Sequence, residues 1–187
     1  MFGQRLIPLL TAALLAGCGA EAPPRVVEPR PPGGDAERSD ALLRRAMLTM
    51  HNATRASVRQ PPLTWDAALA ADAAGYAREL ARSGRFEHSP QPRGTPHQGE
   101  NLWTGTRGAY RYGEMAQHWI DERRDFVNRA TPDFSRTGDY RDVGHYTQIV
   151  WSRTTRVGCA MASGRRDDFL VCRYLPAGNM AGELALP

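Results

Sequence analysis

Two histidines and two glutamates set the chemistry open to this chain. They are His88 in Phe86-Glu87-His88-Ser89, Glu100 in Gln98-Gly99-Glu100-Asn101-Leu102-Trp103, Glu122, and His145 in Gly144-His145-Tyr146-Thr147-Gln148-Ile149-Val150-Trp151. Brought together, His88, Glu100, Glu122 and His145 would suit a divalent metal, with neutral imidazoles as direct ligands and carboxylates completing the shell or orienting a bound water. Zinc fits best, because two histidines with open positions suit a borderline ion. Two other readings use the same residues. A buried hydrogen-bond and ion-pair network that locks helix to sheet needs the same groups and perturbs their pKa values in the same way. A hydrolase would set Glu100 or Glu122 as general base beside a metal-polarised water. No Gly-x-Ser-x-Gly elbow and no His-Glu-x-x-His helix is present to support other hydrolytic schemes. Asn101 and Gln148 are the expected partners behind the four. His118, four residues before Glu122, is the substitute should His88 lie elsewhere, while His97 in its Pro/Gly-rich loop reads as a surface residue.

The elements that must position these groups follow from periodicity. Leu42, Leu43, Ala46, Met47 and Met50 form the stripe of a first helix from Ala41, capped by Asp40 or Ser39. It runs into His51-Asn52-Ala53-Thr54-Arg55, whose polar groups read as structural, and Pro61-Pro62 stops it. A second helix starts in Leu63-Thr64-Trp65-Asp66, with Thr64 or Asp66 as cap, and ends at Gly84. Its alanines imply close packing on a neighbour. A third helix is predicted over Tyr112 to Phe126, with Met115, Trp119 and Phe126 inward. Glu122 then falls on the face that should be apolar, so something must compensate its carboxylate. Strands are expected near Glu100 to Trp103 and in a hairpin of residues 156–162 and 168–175. Folding that hairpin about Gly164 to Asp167 sets Cys159 opposite Cys172, Met161 opposite Leu170 and Ser163 opposite Asp168, which brings the cysteines within disulfide reach.

The first residues read as an export signal over 1–17: one positive charge, Arg5, and then an apolar run from Leu6 to Leu15. Leu15-Ala16-Gly17-Cys18 resembles the bacterial lipobox, which implies lipidation of Cys18 and stable anchoring to a membrane. Gly19 after the cysteine resembles the pattern sent to the outer membrane. Residues 18–39 then form a lipidated, Pro-rich tether, able to reach about 60 Å if mostly polyproline-like. Three cysteines less Cys18 leave Cys159 and Cys172 to pair in an oxidising compartment. All 24 basic residues are arginine, interspersed with 20 acidic ones, and no basic helix appears, so nucleic acid is a poor partner.

The Gly144 to Trp151 stretch and the later Phe169-Leu170-Val171-Cys172-Arg173-Tyr174-Leu175-Pro176-Ala177-Gly178-Asn179-Met180 together resemble the paired signatures of the CAP superfamily, which unites cysteine-rich secretory, antigen-five and pathogenesis-related proteins. His51-Asn52 with Arg55 is similar to the family's first-helix pattern. The resemblance covers residues 40 to 183 of a domain placed at 40–187. It implies an α+β fold, an α-β-α sandwich with a small antiparallel sheet between helices, and one cleft lined by the two histidines and two glutamates. It also implies a monomeric binding module, without established catalysis, for a small apolar ligand or a protein partner. Arg173, Tyr174 and Asn179 are expected to shape the signature turn. Two positions where plant relatives carry cysteine are Val143 and Gly84 here, which leaves the loop from Asn128 to Tyr140 without a disulfide to pin it.

Overall fold

A computed structural model describes residues 34–90 and 96–187. The expected signal, Cys18 and the Pro-rich segment through residue 33 lie outside them. Helix α1 spans Asp40–Ser57 and is capped by Ser39, whose hydroxyl accepts from the Leu42 N–H. It buries Leu43, Met47, His51, Thr54 and Arg55, one stripe at helical spacing. The polar members of that stripe are structural, as expected. Arg55 donates to the carbonyls of Pro61, Ile149, Trp151 and Thr154 at 2.6–3.0 Å, satisfying backbone acceptors that would otherwise be buried without partners. His51 bridges the Met47 carbonyl and the Tyr174 hydroxyl, each at 2.8 Å. Asn52 exchanges two hydrogen bonds with the Leu63 backbone.

The second helix takes Asp66, the later of the two caps read in its sequence. Thr64–Trp65 form a short strand, β1, because the N–H groups of Thr64 and Asp66 donate to the carbonyls of Thr155 and Val157. Helix α2 therefore spans Ala67–Ser83, with the Asp66 carboxylate accepting from the N–H groups of Ala68 and Leu69. Gly84, at φ 70°, ends it. Strand β2 is Gly99–Thr106. Helix α3 covers only Tyr112–Asp121, and Glu122–Asp125 tighten into a 3-10 turn, five residues short of the predicted end at Phe126. A further helix, α4, spans Gly144–Val150, where periodicity alone assigned no element. Strands β3, Arg156–Ser163, and β4, Asp167–Leu175, complete the chain.

The sheet order is β1-β3-β4-β2, antiparallel except for the two-residue parallel contact of β1 with β3. The hairpin register is the expected one: Cys159 faces Cys172, Met161 faces Leu170 and Ser163 faces Asp168. Cys159 and Cys172 are disulfide-bonded. Successive side chains of each strand feed opposite faces. Leu102, Phe169 and Val171 meet Ala73, Ala77 and Leu80 of α2 on one side. Trp103, Leu170, Cys172 and Tyr174 meet Leu43, Met47, Met115, Trp119 and Ile149 of α1, α3 and α4 on the other. Gly158 lets α2 approach: a Cβ there would lie 2.3 Å from the Ala70 nitrogen and 2.5 Å from the Asp66 carbonyl oxygen.

Two connections are tied down without disulfides. The 128–140 loop is held by the C-terminal segment through the bridge Ala130↔Leu184, by the bridge Phe126↔Ser135 to the residue that precedes it, and by Phe134, which is fully buried. At the start of the domain, the Ala36 N–H donates to the Gly108 carbonyl, and Arg38 pairs with Asp168 at 2.9 Å. Asp168 is buried and also accepts from the Gly108 N–H and the Ser163 hydroxyl. The chain thus enters the domain at the end of the sheet where β2 finishes and β4 begins.

Candidate functional site

Glu122 finds its compensation in α4. One oxygen accepts from His145 Nδ1 at 2.6 Å, and the other accepts from the backbone N–H groups of His145 (2.9 Å) and Tyr146 (3.1 Å). The carboxylate therefore satisfies N–H groups of the first turn of α4 while fixing the imidazole. The early end of α3 has the same origin, since the 3-10 turn begins at the residue that reaches for α4. Trp119 stacks on the His145 ring, centroids 5.9 Å apart and planes 19° from parallel, so the ring is held on its face as well as its edge.

The second pair repeats the pattern on β2. Glu100 accepts from His88 Nδ1 at 2.6 Å and from the Ser89 N–H at 3.1 Å. Its other oxygen lies 3.0 Å from Arg173 Nη2, across the β2–β4 pairing in which Glu100 and Arg173 are direct neighbours. The Glu100 side chain is only 5 % exposed, whereas His88 is 67 % exposed. Burial pushes the Glu100 carboxyl up, but the His88 hydrogen bond, the Arg173 charge and the Ser89 contacts together outweigh it and hold the group below the ordinary carboxylate value. Arg173 also lies 5.4 Å over the Tyr76 ring.

A carboxylate only accepts, so each Nδ1 carries a proton, and the neutral tautomer this selects has its lone pair on Nε2. Neither Nε2 has a hydrogen-bond partner among the described residues. Both histidines line one cleft of about 540 Å³, built from residues 86–89, the start of β2, α4 and the turn after β4. Glu100, Asn101, Gln148 and His97 line it too. Phe86 and Tyr140, half exposed, are its aromatic residues. No set of three or more His, Cys, Asp or Glu side chains gathers as a ready-made metal shell among the described residues. The arrangement instead offers two imidazoles of fixed tautomer, each oriented by a carboxylate, which is the outer support that metal-binding histidines use.

Asn101 donates to the His145 carbonyl at 3.1 Å, supporting that residue from behind. Gln148 accepts from the Gly178 N–H and donates to Thr154, bracing the turn after β4. Gly99 is required beside it, since a Cβ would come within 2.0 Å of the Gln148 amide oxygen. His118 does not substitute for His88: its Nδ1 accepts from Trp103 Nε1 at 2.8 Å, and both oxygens of Glu122 are taken by α4. Of the residues expected to shape the signature turn, only Asn179 does so, at φ 56° and bonded to Thr147 and Gly144. Arg173 serves Glu100 and Tyr174 serves His51. Sequence reasoning missed the pairing of Arg173 with Glu100 and the Trp119 stack. The first had a signal, an arginine on the strand that must pair with the one carrying Glu100.

A model of the cysteine-rich secretory protein family, CAP, matches residues 48–174. Among similar sequences, the pathogenesis-related protein PR-1 type of Sambucus nigra is 37 % identical over 134 residues, 71 % of this chain and 75 % of its own. The pathogenesis-related protein PRMS of Zea mays is 38 % identical over 138 residues, 72 % of this chain and 77 % of its own. Among solved structures, NaASP2 with Zn2+ aligns at TM-score 0.62 and 26 % identity, covering 84 % of this chain and 90 % of that one. BmVAL-1 aligns equally well, at TM-score 0.62 and 26 % identity, covering 83 % and 85 %.

Proposed function

This chain belongs to the CAP family of cysteine-rich secretory proteins, and from that membership we propose an exported, lipid-anchored binding module whose cleft takes zinc between His88 and His145. The observation that carries the metal reading is the paired geometry: each Nδ1 is spent on a glutamate at 2.6 Å, while both residues line one cleft. Nε2 of His88 and of His145 would hold the ion, and Glu100 and Glu122 would keep the rings in the right tautomer and orientation. NaASP2, a structural relative, has a crystal structure with Zn2+, which supports the choice of metal. When bound, the ion supplies a Lewis-acid centre that a donor atom of a ligand completes. The same cleft takes a small apolar ligand or partner segment against Phe86 and Tyr140, whose rings supply exposed apolar area beside the polar floor. No turnover is asked of Glu100 or Glu122. The anchor is the acyl-bearing Cys18 that follows Leu15-Ala16-Gly17, with the domain on the outer membrane side of its tether.

Native mass spectrometry of residues 34–187 after addition of zinc tests the metal. One zinc mass is expected in the wild type, none in His88→Ala/His145→Ala, and an affinity roughly 10–100-fold weaker in Glu122→Gln. A bare wild-type protein, or zinc retained by the double variant, overturns the metal reading and leaves the four residues as a structural network. For the anchor, Cys18→Ser in the full chain should abolish membrane fractionation at about 500 mM salt, where surface electrostatics are screened, and unchanged fractionation there would refute it.

A further inference from the structure

The end of the sheet opposite the cleft carries a different chemistry. Arg82 near the C-terminus of α2 and Arg165 and Arg166 in the β3–β4 turn line one hollow of about 300 Å³, and Asp167 is the one acidic residue lining it. Arg107, directly after β2, joins them: its backbone N–H donates to the Arg166 carbonyl, and its guanidinium reaches the Gly164 carbonyl. All four arginines are exposed. They come from three separate segments of the chain, so their convergence is a property of the fold and not of a local run. The planar guanidinium fork of arginine suits paired contacts to two oxygens of a phosphate.

The same end receives the chain from its N-terminal side. Ala36 is bonded to Gly108, and Arg38 to Asp168, immediately beside Arg107 and the β3–β4 turn. Residues 36–38 therefore lie at this basic end. The cleft lining on β2 ends at Leu102 and Arg107 lies five residues further along, roughly 17 Å at about 3.3 Å per residue.

We propose that Arg82, Arg107, Arg165 and Arg166 form a docking surface for the phosphates of an anionic phospholipid membrane, which seats the domain with its entry point toward the bilayer and its cleft facing away. The surface acts through the folded domain and is independent of the zinc reading and of lipidation at Cys18. Each arginine brought near an anionic bilayer adds electrostatic attraction that salt screens.

The test uses residues 34–187, which contain both buried clusters and every strand of the sheet and lack Cys18. Co-sedimentation is measured with vesicles of phosphatidylglycerol and phosphatidylcholine, and with phosphatidylcholine alone, at about 50 mM and about 500 mM salt. Binding to the anionic vesicles at low salt, lost at high salt and on phosphatidylcholine, is expected. Arg82→Gln/Arg107→Gln/Arg165→Gln should weaken it on the order of 100-fold. Arg59→Gln/Arg129→Gln/Arg136→Gln, which removes equal charge from exposed positions elsewhere, should leave most of it. Thermal melting of both triples checks that each is folded. Absence of wild-type binding at low salt overturns the proposal, and so does equal loss in the two triples, which would make the attraction one of net charge alone.

Discussion

Burial of His51 makes the fold sensitive to acid well above the range in which carboxylates titrate. The ring is completely buried, its Nδ1 donates to the Met47 carbonyl, and its Nε2 accepts from the Tyr174 hydroxyl. Burial, helped by the nearby Arg55 charge and opposed by the Met47 bond, lowers its pKa from 6.5 to about 4. The sign follows from proton counting. Near neutrality neither state binds the proton, but below pH 6.5 the unfolded chain takes it up while the native state refuses it until about pH 4. Stability is therefore lost as pH falls through that window, and the loss levels off below it. Between about pH 7.5 and pH 5 it amounts to about 2 kcal/mol, or about 4–8 °C in melting temperature for a domain of this size. The assay is urea unfolding across that range for the wild type and for His51→Gln, which removes the titration and should flatten the slope by that amount. Slopes from the other histidines cancel in the comparison. Equal slopes in the two proteins, or an NMR titration of the native His51 ring near 6.5, would refute the reasoning.

Two further outcomes rest on packing and connectivity. Gly158→Ala sets a methyl against the backbone of α2 at Ala70 and Asp66, which cannot yield as a side chain would, so a loss of about 1–3 kcal/mol is expected in denaturant unfolding. Replacing Cys159 and Cys172 by serine releases a loop of sequence separation 13, which should lower stability by about 3 kcal/mol in the same assay; an unchanged midpoint would show that the hairpin is already as constrained when unfolded.

Much of this architecture was legible because the signals were local. The Cys159, Met161, Ser163 and Leu170, Cys172 alternation, joined by four residues, admits one register, and that register is observed. The stop at Gly84 was equally readable, and the cap of α1 was narrowed to Asp40 or Ser39, of which Ser39 is observed. What failed depended on partners distant in sequence. Thr64 and Asp66 both read as caps for α2, and the choice of Asp66 follows from N–H groups claimed by carbonyls more than ninety residues later. Glu122 looked like an interruption in an apolar stripe, and only the position of α4 explains why α3 stops before it. Tyr174 and Arg173 were read as turn residues, when each serves a side chain on another element. The loop after Asn128 lacks a disulfide but is held by Phe134 and the C-terminal residues, contacts with no sequence motif.

The two histidine–glutamate pairs differ in what evolution can do with them. Glu122 serves three N–H groups at once, two of them backbone groups of α4, so drift at this position is penalised in folding whether or not the cleft has a ligand. Its retention in any descendant therefore reports mainly on structural necessity. His88 carries no such double duty, since its ring is two-thirds exposed and bonds only to Glu100 among the described residues. A lineage that abandons the cleft should lose His88 first and keep Glu122, which makes position 88 the one whose persistence tracks use of the site.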